Sequence, residues 1–133
     1  MVSTKASFRI IGKDLDPSEI TTLLHMHPDQ FHRCGDSNIS KSGRRYADYT
    51  EGLWALDSSV DETYAIDEHL EDFVTKLWQH RDLLQEFRKR GYKIYICIGI
   101  FSIKDNTGFV LKNTLLRRVI QLGIDLDLDL YPS

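Results

Sequence analysis

The chain has 133 residues, 41% of them hydrophobic and 28% charged, and its 17 basic residues against 20 acidic ones leave a net charge of −3. A chain of this length fits one domain, residues 1–133, and a domain of this size buries roughly two-thirds of its unfolded surface, so it needs neither disulfides nor a structural metal to hold a core. The mildly acidic balance argues against general electrostatic attraction to nucleic acid or to an anionic membrane.

The opening run MVSTKASFRIIG has no apolar h-region and no cleavage pattern. No stretch approaches the ~20 apolar residues that span a bilayer, so a cytosolic protein is expected. Within the run, residues 6–12 alternate as a strand with Phe8 and Ile10 on one face. A helix start follows: Asp16 is the N-cap, Pro17 takes the first helical position, and Glu19 is placed to reach back as in a capping box. Leu15 and Ile20 have the spacing of a hydrophobic staple. Ile20, Leu23 and Leu24 share one side of this helix, which is expected to end near His25, ahead of Pro28.

From Pro28 to Thr50 the chain is polar and rich in turn formers, which is long for a structureless loop. It holds either an extra edge strand around Arg44–Tyr49 or a mobile functional loop. Gly52–Ser58 reads as a strand with Trp54 and Leu56 facing one way. Ile66, Leu70, Phe73, Val74, Leu77 and Trp78 then recur at helical spacing. Leu83, Leu84 and Phe87 carry a helix on to Gly91, a C′ glycine preceded by Arg88, Lys89 and Arg90.

Tyr92–Phe101 is apolar on both faces and is expected to be central in a sheet. A turn over Lys104–Gly108 leads to a helix capped by Asn113, packed through Leu115, Leu116, Val119 and Leu122, and closed by Gly123. In the final run, IDLDLDLY, the alternation predicts Ile124, Leu126, Leu128 and Leu130 on the core side and Asp125, Asp127 and Asp129 in water. A sheet with one wet face belongs to a two-layer molecule. The expected fold is therefore an α+β two-layer sandwich. Its sheet is mostly antiparallel, of four to five strands, with helices on one face, in ferredoxin-like style.

The residues richest in chemistry are His25, His27, His32, Cys34 and Asp36, in the run HMHPDQFHRCGD. Zinc prefers two ligand pairs separated by a longer loop. Here the pairs are too close together and have no second element to wrap the ion, so no metal and no cofactor is expected. Acid–base chemistry could draw on His32 or His69 with Asp36, and Cys34 could serve as a nucleophile. No elbow or supporting partner can be identified, and His69 reads better as a surface residue or the partner of a nearby turn. Cys97 sits in an apolar stretch, where a free cysteine behaves as a small hydrophobe.

Lys41, Arg44 and Arg45 with Tyr46 and Tyr49 have a basic-aromatic look, but Gly43 alone makes no phosphate cradle. Nucleic-acid binding is therefore not favoured. Asp125, Asp127 and Asp129 resemble a calcium loop only in spelling, because a strand holds same-face carboxylates about 7 Å apart instead of converging them. They read instead as a solvated sheet face, which could also serve as an acidic patch for a protein partner.

Taken together, ASFRIIGKDLDPSEITTLL, HRCGD, GLWALDSS with EHLEDFVTKL, GYKIYICIGIF and LGIDLDLDLY resemble the bacterial family known as domain of unknown function 4279 over nearly the whole chain. His32, Gly35, Asp36, Trp54 and Ser58 match its pattern, whereas His25, His27 and Cys34 do not. The resemblance implies a small bacterial cytosolic α+β domain with no established activity. It also implies that the matching residues pin a loop over the Trp54 strand or floor a binding site there.

The leading expectation is a non-enzymatic protein-binding module, of the immunity or antitoxin kind, with a partner on the Asp125, Asp127 and Asp129 face. The alternative is a hydrolase or small-anion-binding domain built on the His32, Cys34 and Asp36 loop. There His32, Asp36 and Trp54 would line the ligand, and Arg44 or Arg45 would hold its charge.

Overall fold

The computed structural model describes residues 2–104 and 108–133. Seven strands and four helices follow one another as β1 (Ser3–Gly12), α1 (Pro17–Leu24), β2 (Gln30–His32), β3 (Asn38–Ile39), β4 (Arg45–Tyr46), β5 (Gly52–Asp57), α2 (Ile66–Leu77), α3 (Arg81–Lys89), β6 (Lys93–Ile103), α4 (Asn113–Leu122) and β7 (Asp125–Pro132) among the described residues. A 3₁₀ turn at Trp78–His80 joins α2 to α3. The main sheet has the order β2-β5-β1-β6-β7. Every pairing in it is antiparallel except β6 with β7, which run parallel through the crossover helix α4. β3 and β4 form a separate two-stranded ribbon. The fold is thus α+β with a mostly antiparallel sheet, as the alternation of patterns predicts.

The strand periodicity divides the sheet cleanly. Phe8 and Ile10 on β1, Trp54 on β5 and Ile94, Ile96, Ile98 and Ile100 on β6 all point to the helix side and are buried with Ile20, Leu24, Phe73, Leu84, Phe87 and Leu122. Phe8 sits at the centre of this core. Its ring meets Trp54 edge-on at 6.2 Å and lies 6.2 Å from Phe73. The Trp54 indole N–H donates to Thr21 Oγ1 at 3.0 Å, so the one polar atom of a fully buried ring is satisfied by α1.

Local signals explain the helix ends. The Asp16 side chain accepts the Ser18 N–H, with Pro17 next in line as predicted. Glu19, however, does not close a capping box; its carboxylate pairs with Arg90 beyond α3. His25 closes α1 in the left-handed region at φ 56°, and Gly91 follows α3 at φ 90°. Gly123 ends α4 at φ 69°, and a Cβ there would run into the guanidinium of Arg88. That guanidinium donates to the carbonyl of Leu122 at 2.7 Å, satisfying a group that the helix end leaves without a partner.

Several expectations need correction. Leu128 and Leu130 lie on the helix side as predicted, but they are 43% and 58% exposed. β7 is the outermost strand and no described element covers its far half, so alternation there does not mean burial. Lys93–Ile103 is an interior strand as expected, with neighbours on both sides, and β1 holds the middle of the sheet. The extra edge strand comes from Gln30–His32, not Arg44–Tyr49; Arg45 and Tyr46 belong to the separate ribbon. Asn113 is the first residue of α4, not its cap, and its side chain accepts from Arg117 instead. The expected turn over Lys104–Gly108 falls on residues 105–107, outside the described residues.

Candidate functional site

The run that carries His32, Cys34 and Asp36 is a folded arm. Gly35 at φ 90° lets the backbone reverse, and the Asp36 carboxylate accepts the Arg33 N–H at 2.7 Å. Gly35 donates to the carbonyl of Tyr49 at 2.7 Å and Tyr49 donates to that of Asp36 at 3.0 Å, so the two ends of the arm are laced together. The His32 ring then stacks on Tyr49 at 3.5 Å. Burial pushes the His32 imidazole below its ordinary pKa, against the opposing pull of the Glu51 backbone carbonyl and the Asp36 charge.

The arm does not assemble the residues the sequence grouped. His32 and Asp36 share an open depression of about 840 Å³ with Arg9 and Lys41. Cys34 faces another depression, beside Lys13 and Glu51, and its thiol donates to the carbonyl of Thr50. Arg44 lies over the Tyr46 ring and Arg45 pairs with Asp48, both exposed and neither lining the His32 depression. His32 pairs in register with Leu53, whereas Trp54 turns to the opposite side of the sheet and is sealed in the core. Strand alternation thus puts His32 and Trp54 on opposite faces of the sheet. His27 lines a separate depression with Pro28 and Phe31. Among the described residues, the group of side chains placed to hold a metal ion lies at Cys97, Asp127 and Asp129, not in the histidine run.

The other end of the open face carries the features that sequence alone did not reveal. On β1 this face shows Lys5, Ser7 and Arg9; on β6, Tyr95, Cys97, Gly99 and Phe101; on β7, Asp125, Asp127, Asp129 and Tyr131. The Phe101 and Tyr131 rings stack at 4.7 Å and nearly parallel. Phe101 also folds back over Gly99, whose missing side chain leaves room for it. The Cys97 thiol faces the Asp129 carboxylate at 4.0 Å, and the ligating atoms of Cys97, Asp127 and Asp129 all lie within 4.8 Å of one another. Burial pushes the Cys97 thiol up; Asp127 and Asp129 add to the effect, and the Arg9 guanidinium opposes it.

A cavity of about 330 Å³ opens between these residues and the segment after β5, reaching Ser58 and His69. His69 is 1% exposed on α2, and its Nδ1 lies 2.8 Å from Ser58 Oγ. Ser58 Oγ also accepts the Val60 N–H at 3.1 Å, so one hydroxyl ties the ring to the turn. Of the two roles the sequence allowed for His69, the partner of a nearby turn is the one found. Burial lowers its pKa, with the Tyr64 carbonyl and the Asp72 charge acting the other way.

The residues of the open face come from four strands and the arm, a combination that follows from strand order and not from any local motif. A family model, Domain of unknown function (DUF4279), matches residues 2–133. The chain belongs to this family. No curated protein and no solved structure matches the chain. Membership therefore fixes kinship without assigning a chemistry, and what this member does has to be argued from its surface. No helix among the described residues is long and apolar enough to cross a membrane.

Proposed function

We propose that the domain is a non-enzymatic binding module of the bacterial cytosol that engages another protein through its open sheet face, in the manner of an immunity or antitoxin protein. The observation that carries the reading is the row of Asp125, Asp127 and Asp129, all exposed on an outermost strand beside the stacked Phe101 and Tyr131. Three like charges on one strand face repel one another and add nothing to folding. A stacked aromatic pair bordered by charge has the make-up of an interface centre and its rim.

The test is co-purification from a native lysate with wild-type protein and with the triple variant Asp125→Asn, Asp127→Asn, Asp129→Asn as baits. A defined set of proteins should be enriched on the wild type and lost on the variant. Equal recovery on both baits, or none on either, removes the support.

A second reading rests on the arm. His32, Arg9 and Lys41 line one depression and could hold a small anion, with Asp36 fixing the turn. Phosphate titration up to roughly 10 mM, the range of weak sites, should shift the His32 ring signals in an NMR spectrum. Unmoved signals sink it.

A further inference from the structure

We propose that the free edge of β7 takes up an extended segment of a partner protein in which Lys or Arg alternates with Val, Ile or Leu. The inference rests on the binding-module reading and specifies the partner's chemistry. β7 ends the sheet, so its inner side pairs with β6 and no described strand pairs with its outer side. In a strand paired on one side only, alternate backbone N–H and C=O groups point outward without partners. This makes the edge a template for another strand. Native edges are commonly blocked by lysines, bulges, prolines or short length. β7 runs eight residues, carries no lysine, and has proline only at its last position, Pro132.

The two faces of this edge specify what fits it. On the open face stand Asp125, Asp127 and Asp129; on the helix side Leu128 and Leu130 are 43% and 58% exposed. An added strand repeats its own side chains at the same pitch of about 7 Å per pair of residues. Its alternate residues therefore meet the aspartates one for one, while those between them lie beside the leucines. Basic residues on the first set and apolar, β-branched ones on the second satisfy both rows. The same geometry turns away a second copy of the chain. Antiparallel two-fold pairing of β7 with itself places Asp127 against Asp127 and Asp125 against Asp129, which like-charge repulsion disfavours. The acidic row thus protects the edge from self-association and leaves it open to a basic strand.

A capped peptide of alternating lysine and valine, as long as β7, is the probe. Fluorescence anisotropy gives its affinity, and amide NMR shifts give its location. The largest shifts should fall on residues 125–132 and not on β2 at the opposite edge. Methylating alternate backbone nitrogens of the peptide should weaken binding about tenfold or more, because it removes strand pairing while keeping every charge. Asp127→Asn with Asp129→Asn should weaken it by a similar factor and flatten its salt dependence. Three results overturn the inference: no binding of the peptide, equal binding of its methylated form, or shifts centred away from β7. Sedimentation showing a dimer that shields the β7 amides also overturns it, by making the chain its own occupant. If the lysate partners remain dependent on the aspartates while the peptide fails, strand addition is wrong and the binding-module reading stands.

Discussion

His69 lies buried beneath the segment after β5, its Nδ1 paired with Ser58 and its Nε2 without a partner among the described residues. Burial depresses its pKa, and burial is also the first cause of the depression at His32 and at His80, where the nearby His25 charge adds to it. The sign of the consequence is fixed. Each ring is harder to protonate folded than unfolded, so below the ordinary histidine pKa of about 6.5 the unfolded chain binds more protons. Stability is complete above that value, falls as pH drops towards the depressed folded values, and levels off beneath them. One such ring gives at most about 1.4 kcal/mol per pH unit. We expect His69→Gln to be somewhat less stable near neutrality but to lose less between about pH 7 and pH 5 than the wild type. Urea midpoints at the two pH values check it; an unchanged pH dependence would show that His69 is not a source of the slope. The sequence placed His69 on a helix face next to a turn, which was enough to suggest a turn partner. It could not show that the ring is buried, because a histidine at a core position reads the same as one on the polar side.

At the level of elements, the helical face from Ile66 to Trp78 was legible because its period holds over more than three turns, whereas the 3₁₀ turn at Trp78–His80 that splits α2 from α3 leaves no mark in the pattern. The Asp16–Pro17 start and the Gly91 and Gly123 stops were legible too: each is a local solution to the unpaired groups of a helix end. What failed were inferences that need a neighbour. Gln30–His32 is too short to show a period, and it is a strand only because Leu53–Ala55 offers it an edge. Leu128 and Leu130 alternate as core residues do, yet whether a helix reaches over them depends on the layer above. Glu19 has the right spacing to cap its own helix and is drawn off by Arg90, which the sequence places far away. The best-defined element contact is the one where Trp54 on β5 meets both Phe8 on β1 and Thr21 on α1. Trp54→Phe keeps most of the apolar contact but strands the Thr21 hydroxyl and opens a small void, so it should cost about 1–2 kcal/mol. Phe8→Ala removes the ring at the centre of the packing and should cost about 3–5 kcal/mol. Chemical unfolding with a common m-value tests both, and a cost for Trp54→Phe matching that of Phe8→Ala would show the indole contact to be worth far more than a single neutral hydrogen bond.

Across the whole molecule, the two sheet faces have opposite characters. One is closed by helices and apolar; the other is partly walled by the arm and carries charge, aromatic rings and a cavity. If the aspartates of β7 serve a partner and not the fold, their removal should not harm stability. The triple variant Asp125→Asn, Asp127→Asn, Asp129→Asn is therefore expected to be as stable as the wild type or up to about 0.5 kcal/mol more so at low ionic strength, with the gain fading as salt screens the repulsion. Thermal unfolding at two salt concentrations measures it. A clear loss of stability would give the aspartates a structural role and weaken the case for an interaction surface. The acidic row itself was visible in the letters IDLDLDLY. Its setting was not: the adjacent Cys97, the Phe101–Tyr131 stack and the open edge arise only when β6 and β7 take their register.

The position of β1 has a consequence in time. The strand nearest the start of the chain lies at the middle of the sheet, and its longest pairing, Ser3 to Phe101 down to Ile11 with Lys93, joins segments roughly ninety residues apart. The sheet cannot acquire its centre until that long loop closes, so helices α2 and α3 have time to form and fluctuate first. Such wiring belongs with domains that fold over milliseconds to seconds. During that interval β6, the most apolar strand of the chain, has only β7 to pair with.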